Sequence, residues 1–134
     1  MISLAMPTYN GSKFLRKQLD SIYEQTLIPD EIVVVDDCST DNTRDILEEY
    51  KMTRGLKYYV NEKNLGYNKN YVKAIMLCNG DYILLCDQDD VWLPNKVEKC
   101  YNEIVKYPQH IPALVSCFSS TDPNIITTKK RVCN

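Results

Sequence analysis

Three acids occupy four consecutive positions at Asp87-Gln88-Asp89-Asp90, directly after the apolar run 82–86. Carboxylates at i and i+2 on a strand end can turn to the same side, and such a cluster repels itself unless a cation sits among it. Hard oxygen ligands of this type suit Mg²⁺ or Mn²⁺, which keep some waters and bridge to phosphate oxygens. The position after an apolar strand carries this reading, since an acid-x-acid triplet alone also describes a solvated turn. A second pair, Asp36-Asp37, ends the run that starts at Glu31. There an ionised carboxylate needs a hydrogen-bond donor or a cation, so at least one of the two is expected to be functional. Tyr9 follows another apolar run and offers a ring that can stack on a planar base or simply half-bury. Asn64-Leu65-Gly66-Tyr67-Asn68 opens a helical stretch, where backbone N–H groups can face an anion or merely form a loop and cap. Asp41 and Asn42 read as caps of the helix that follows them.

The elements that position these residues follow from periodicity. Short apolar runs rich in branched residues alternate with longer runs of helical period, which predicts βαβ units and a mostly parallel sheet. Strands are expected at Ile2–Met6, Glu31–Asp36, Leu56–Val60, Tyr82–Cys86 and Ala113–Phe118. Leu15, Leu19, Ile22 and Tyr23 share one face of a first helix, and Ile46, Leu47 and Tyr50 one face of a second. Tyr71, Val72, Ile75 and Met76 repeat the spacing in a third, and Val97, Tyr101, Ile104 and Val105 in a fourth. Ser12, Asn68 and Asn95 are further candidate caps, and Gly55 and Gly80 candidate helix stops. In such a fold ligands bind outside the carboxyl ends of the strands, near the point where strand order reverses. The loops after the first, second and fourth strands bring the Asp and Asn side chains and Tyr9 to that edge. His110, between Pro108 and Pro112, reads as a loop residue. Residues 119–134, with the basic run Lys129-Lys130-Arg131, read as a weakly ordered tail.

Composition sets the limits. At ~100–200 residues per domain, 134 residues make one domain. Sixteen basic against eighteen acidic residues leave a net charge of −2, so no broad cationic field exists to hold nucleic acid. Hydrophobic residues at 44% and charged residues at 25% are ordinary globular values. No apolar run approaches the ~20 residues that span a bilayer, and Met1–Pro7 has no basic region ahead of a long apolar core. The expected location is therefore cytoplasmic. The six cysteines include no Cys-x-x-Cys pair and are expected as buried free thiols.

In order and spacing, Ser3–Asn10, Glu31–Thr43, Asn64-Leu65-Gly66, Gly80–Ile83 and Asp87–Pro94 resemble the family 2 glycosyltransferases of GT-A fold, over about residues 1–118. The resemblance implies an α/β, Rossmann-like nucleotide-diphospho-sugar-binding fold with a mostly parallel sheet and helices on both faces. It implies a UDP- or dTDP-linked sugar donor, a saccharide or lipid-linked acceptor, and transfer with inversion assisted by Mn²⁺ or Mg²⁺. Pro7, Tyr9, Asp37, Asn64, Gly66 and Asp87 match nucleotide-binding positions. Tyr9 would stack on the base and Asp37 accept from its ring N–H. Asp87 and Asp89 match the family's Asp-x-Asp, with Asp89 the direct metal ligand and Asp87 reaching ribose and metal. The Asp-Gln-Asp-Asp-Val-Trp form looks most like bacterial members that move deoxysugars such as rhamnose.

The family's general base is an acid several dozen residues beyond the Asp-x-Asp, in an acceptor-binding half. After Asp90 only Glu98, Glu103 and Asp122 are acidic. The expectation is a donor-binding half, truncated before the acceptor site, the base and any segments contacting the inner face of the cell membrane. The alternative is a non-catalytic or incomplete nucleotide-sugar-binding module. Two rivals fit less: a haloacid-dehalogenase-like phosphohydrolase, which needs a downstream acidic pair, and a receiver domain, whose paired acids belong on the first strand.

Overall fold

The computed structural model describes residues 1–109, 113–117 and 128–131. His110, Phe118 and Asp122 lie outside them, as does most of the expected tail.

Four parallel strands form the central sheet: β1 (Ile2–Thr8), β2 (Glu31–Asp36), β3 (Lys57–Val60) and β4 (Tyr82–Leu85), in spatial order β3-β2-β1-β4. Helices α1 (Ser12–Tyr23), α2 (Thr43–Arg54) and α3 (Tyr67–Met76) connect them, and α4 (Lys96–Ile104) follows β4. A separate antiparallel pair joins β5 (Leu114–Cys117) to β6 (Thr128–Arg131). Lys129-Lys130-Arg131 thus stand on a strand, which their lack of apolar alternation did not announce.

Alternation along the strands sorts the core into two layers. Leu4, Met6, Ile32 and Val34 face Leu15, Leu19, Ile22, Leu47 and Val97 on one side of the sheet. Ala5, Val33 and Val35 meet Ala74 of α3 on the other. Helices therefore cover both faces, as expected of a parallel sheet. Among the described residues no helix is long and apolar enough to cross a membrane.

Strand order reverses between β1 and β4, since the chain runs outward through β2 and β3 and then returns to the far side of β1. Pro7 lies inside β1, where a missing N–H would ordinarily break a ladder. The Ala5 carbonyl accepts from Cys86, so Pro7, two residues on, faces the same side beyond the end of β4 at Leu85. No sheet hydrogen bond is lost there, and the sheet opens at that point.

Three local expectations change. The buried face of α3 is Asn70 and Ala74, while Val72 and Met76 are exposed. Small side chains let the helix approach β1 and β2 closely, and Asn70 is tolerated because its Nδ2 donates to the Val35 carbonyl at 2.8 Å. The cap positions of α1 and α3 are Gly11 and Gly66, not Ser12 and Asn68. Asp41 instead serves two helix starts, accepting from the backbone of Ser12 at 3.1 Å and of Thr43 at 3.0 Å. Burial would raise its pKa, but these bonds and the Thr43 hydroxyl outweigh that and hold it at about 2. Gly80 is no helix stop: a Cβ there would lie 2.7 Å from the Ser3 backbone nitrogen, so it permits close approach to β1. Gly55 does end α2, in the left-handed conformation at φ 72°. Among the described residues, Cys38, Cys78 and Cys86 form no disulfide; Cys86 and Cys100 are buried as expected, whereas Cys38 and Cys78 are only half-buried.

Candidate functional site

A cleft of about 520 Å³ opens at the carboxyl ends of β1, β2 and β4, within the range of small-molecule sites. Pro7, Thr8 and Tyr9 come from β1 and the turn after it, Asp37 from the end of β2, and Asp87, Gln88 and Asp89 from the end of β4. Asn64, Gly66, Tyr67 and Asn70 form the remaining wall. Every residue named from the sequence as a nucleotide or metal candidate lines this one cleft. Among the described residues no lysine or arginine does.

The two acids of β2 have different tasks. Asp36 is fully buried and accepts from the Ser39 hydroxyl and backbone and from Arg44 Nε at 3.1 Å. Its charge is answered inside the protein, so it shapes the turn into α2. Asp37 is the one that reaches the cleft. Its Oδ1 accepts from Asn61 Nδ2 at 2.7 Å and from the Leu65 N–H at 2.8 Å, and its Oδ2 from the Gly66 N–H at 2.9 Å. Of the loop N–H groups that the sequence offered to an anionic ligand, those of Leu65 and Gly66 are therefore taken by Asp37. A carboxylate has about four acceptor positions, and the one left lies on Oδ2. Gly66, at φ 83°, allows the bend that brings both N–H groups onto one side chain.

The first and second loops are fastened together. Asn10, at φ 46°, accepts through Oδ1 from the Thr40 N–H at 2.8 Å, while its own N–H donates to Ser39 Oγ at 2.9 Å. The Gly11 N–H donates to Thr43 Oγ1 at 2.9 Å. Tyr9 is half exposed above this platform.

At β4, Gln88 spans the cleft floor. Its Oε1 accepts from Thr8 Oγ1 at 2.6 Å and from the Tyr9 N–H at 3.0 Å, and its Nε2 donates to the Tyr9 carbonyl at 3.2 Å. Asp87 accepts from the Tyr67 hydroxyl at 2.6 Å. Burial first, then the Asp87 carboxylate, push the Tyr67 phenol up to about 12. Neither Asp87, Asp89 nor Asp90 forms an ion pair among the described residues. Asp90 is not among the cleft-lining residues. Among the described residues no group of three or more acidic, histidine or cysteine side chains converges into a metal cage. Two carboxylates without a cationic partner are nevertheless what Mg²⁺ or Mn²⁺ use when phosphates and water supply the other ligands. The donor set fits such an ion.

Gln88, Tyr67, Asn61 and Asn70 were not singled out from the sequence, although Gln88 and Tyr67 sit inside quoted motifs. Conversely, Glu98 accepts from Thr26 Oγ1 at 2.9 Å and Glu103 meets Lys106 at 2.7 Å, and neither is among the cleft-lining residues.

Known proteins are similar to this chain in sequence and fold. The dTDP-rhamnosyl transferase RfbG of Shigella flexneri is 37% identical over 107 residues, covering 75% of this chain and 37% of that protein. The crystal structure of S. aureus TarS 1-349 in complex with UDP is 34% identical at a TM-score of 0.70, covering 78% of this chain and 32% of that one. The mannosyltransferase PcManGT of Pyrobaculum calidifontis, in complex with GDP-Man and Mn²⁺, is 29% identical at a TM-score of 0.63, covering 68% and 28%. The chain spans 18%, 40% and 16% of the length of three further curated relatives. The model of the family "Glycosyl transferase family 2" matches residues 3–131, past the 118 to which the resemblance was expected to extend. A match over nearly the whole chain, on the parallel sheet and helices that these glycosyltransferases share, means that the chain belongs to glycosyl transferase family 2.

Proposed function

We propose that the cleft is the donor site of a metal-dependent, inverting glycosyltransferase, taking a UDP- or dTDP-linked sugar. One observation carries this reading: Asp37, Asp87 and Asp89 line a cleft with no basic residue among the described ones. A diphosphate entering it meets only like charge, so binding requires a cation between carboxylate and phosphate. Asp89, without a protein partner, would hold Mn²⁺ or Mg²⁺ directly, with Asp87 beside it. That ion would stabilise the negative charge that grows on the departing diphosphate.

The chain's own residues do the remaining work. Asp37 fixes the Asn64–Gly66 wall and keeps one acceptor position for a base N–H. Gln88 sets Tyr9, whose exposed ring offers a stacking surface to the base. In the reaction an acceptor hydroxyl oxygen bonds to the anomeric carbon as the bond from that carbon to the diphosphate oxygen breaks on the opposite face. The hydroxyl proton passes to a general base. Among the described residues no acid besides Asp37, Asp87 and Asp89 lines the cleft, and none of these three is assigned as the base. A saccharide or lipid-linked acceptor, a deoxyhexose donor and a cytoplasmic setting belong to the same proposal. The UDP complex of TarS, the name of RfbG and the Mn²⁺ complex of PcManGT support it.

Thermal unfolding tests the reading. UDP or dTDP with Mn²⁺ should raise the midpoint by several degrees, with little effect from either nucleotide in EDTA. Hydrolysis of p-nitrophenyl phosphate, with no shift by nucleotide, would favour the phosphohydrolase instead.

A further inference from the structure

The wall of the cleft formed by 64–70 touches both of its acidic ends. Asp37 holds the N–H groups of Leu65 and Gly66 at 2.8 and 2.9 Å. The next residue, Tyr67, crosses to β4 and donates its hydroxyl to Asp87 Oδ1 at 2.6 Å. As a whole residue Tyr67 is 60% exposed, so packing alone does not hold it in that pose, although desolvation is the first cause of its raised pKa. What restrains the ring is the backbone clamp before it and Tyr71, whose ring packs edge-on at 5.5 Å and 85°. An exposed tyrosine gains little by ordering its side chain unless a specific bond repays the lost rotamer freedom. The bond it makes is to the acid two residues before Asp89, across the opening through which a ligand enters.

We infer that Tyr67 is a positioning residue, which occupies Oδ1 of Asp87 and thereby aims Oδ2 at the cation and ribose of the bound donor. This rests on the donor-site reading above. With one position of Oδ1 taken by the phenol, chelation through both oxygens is disfavoured against binding through Oδ2, and the two acids divide their work. Asp89 would hold the ion directly, while Asp87 would offer one oriented oxygen. Hydrogen bonds to metal-ligating carboxylates orient them, and their loss weakens metal binding by roughly 10- to 100-fold.

The test is Tyr67→Phe, which removes one oxygen and keeps the ring against Tyr71. Mn²⁺ is titrated at fixed UDP, and UDP at saturating Mn²⁺, by calorimetry, with the free ion followed by electron paramagnetic resonance. The Mn²⁺ dissociation constant should rise about tenfold, the UDP constant at saturating Mn²⁺ less than threefold, and the unfolding midpoint should stay in place. An unchanged Mn²⁺ constant overturns the inference. So does an equal loss of both constants with a lowered midpoint, which marks a merely structural tyrosine. If the unaltered chain shows no Mn²⁺-dependent UDP binding, the donor-site reading itself fails. If it binds and Tyr67→Phe binds equally well, only the positioning role does.

Discussion

Gln88 stands between the two acids assigned to the cation, yet its amide is committed to the opposite wall, holding Thr8 and both backbone groups of Tyr9. Gly11 leaves room for it, since a Cβ there would lie 2.3 Å from Gln88 Oε1. That oxygen ends a flexible side chain, so a methyl group at Gly11 should displace the amide rather than unfold the chain. Gly11→Ala is expected to lower stability by less than about 1 kcal/mol and to weaken UDP binding with Mn²⁺ about tenfold, the worth of one or two hydrogen bonds. Gln88→Ala should match it, and the double variant should be no worse than either alone. Titration and thermal unfolding of the three variants check this, and wild-type affinity in Gly11→Ala would remove Gln88 from the account. Such roles are poorly legible in a sequence. The acids of Asp87-Gln88-Asp89 stand out because charge at a strand end demands a partner. A glutamine there has an ordinary solvated reading, and only the fold reveals that its partner is 79 residues away.

At the scale of elements, the strand ends opposite the cleft are tied by one carboxylate. Glu31 at the start of β2 accepts from Ser3 Oγ on β1 at 2.6 Å and from Lys57 Nζ on β3 at 2.9 Å. It also accepts from the backbone and side chain of Asn79 ahead of β4, both at 2.9 Å. Burial would raise its pKa, but these donors together bring it down to about 2. A folded pKa below the unfolded value means that the stabilisation is complete above about pH 4.5 and is lost as pH falls toward 2. It amounts to about 3 kcal/mol. Urea midpoints of the wild type should therefore fall more steeply between pH 4.5 and 2 than those of Glu31→Gln, which starts lower. Parallel curves would show that Glu31 is not the linked group. The strands and the faces of α1 and α2 were readable from periodicity, because large apolar residues recur at regular spacing. The buried face of α3 was not, because a buried asparagine and alanine look like a solvent face until Val35 and Asn61 are seen to bond Asn70.

For the molecule as a whole, strand order determines where chemistry can occur. Reversal between β1 and β4 opens the sheet beside Pro7, and a slight excess of acidic residues acquires a place where a cation can neutralise it. The cleft's membership was legible because the motifs all follow strands of one parallel sheet and so end at one edge. The division of labour inside it was not, because Asp36 and Asp37 are identical in type and differ only in which way the strand turns them. The central claim is that a divalent ion held by Asp89 bridges the chain to a nucleotide diphosphate. Calorimetric titration of UDP and dTDP into the wild type and Asp89→Asn, each with Mn²⁺ and with EDTA, tests it most directly. Binding that requires Mn²⁺ in the wild type and is weakened at least tenfold in a folded Asp89→Asn is the predicted result. Binding of equal strength with and without Mn²⁺, or an Asp89→Asn variant that keeps the full Mn²⁺ dependence, would contradict it.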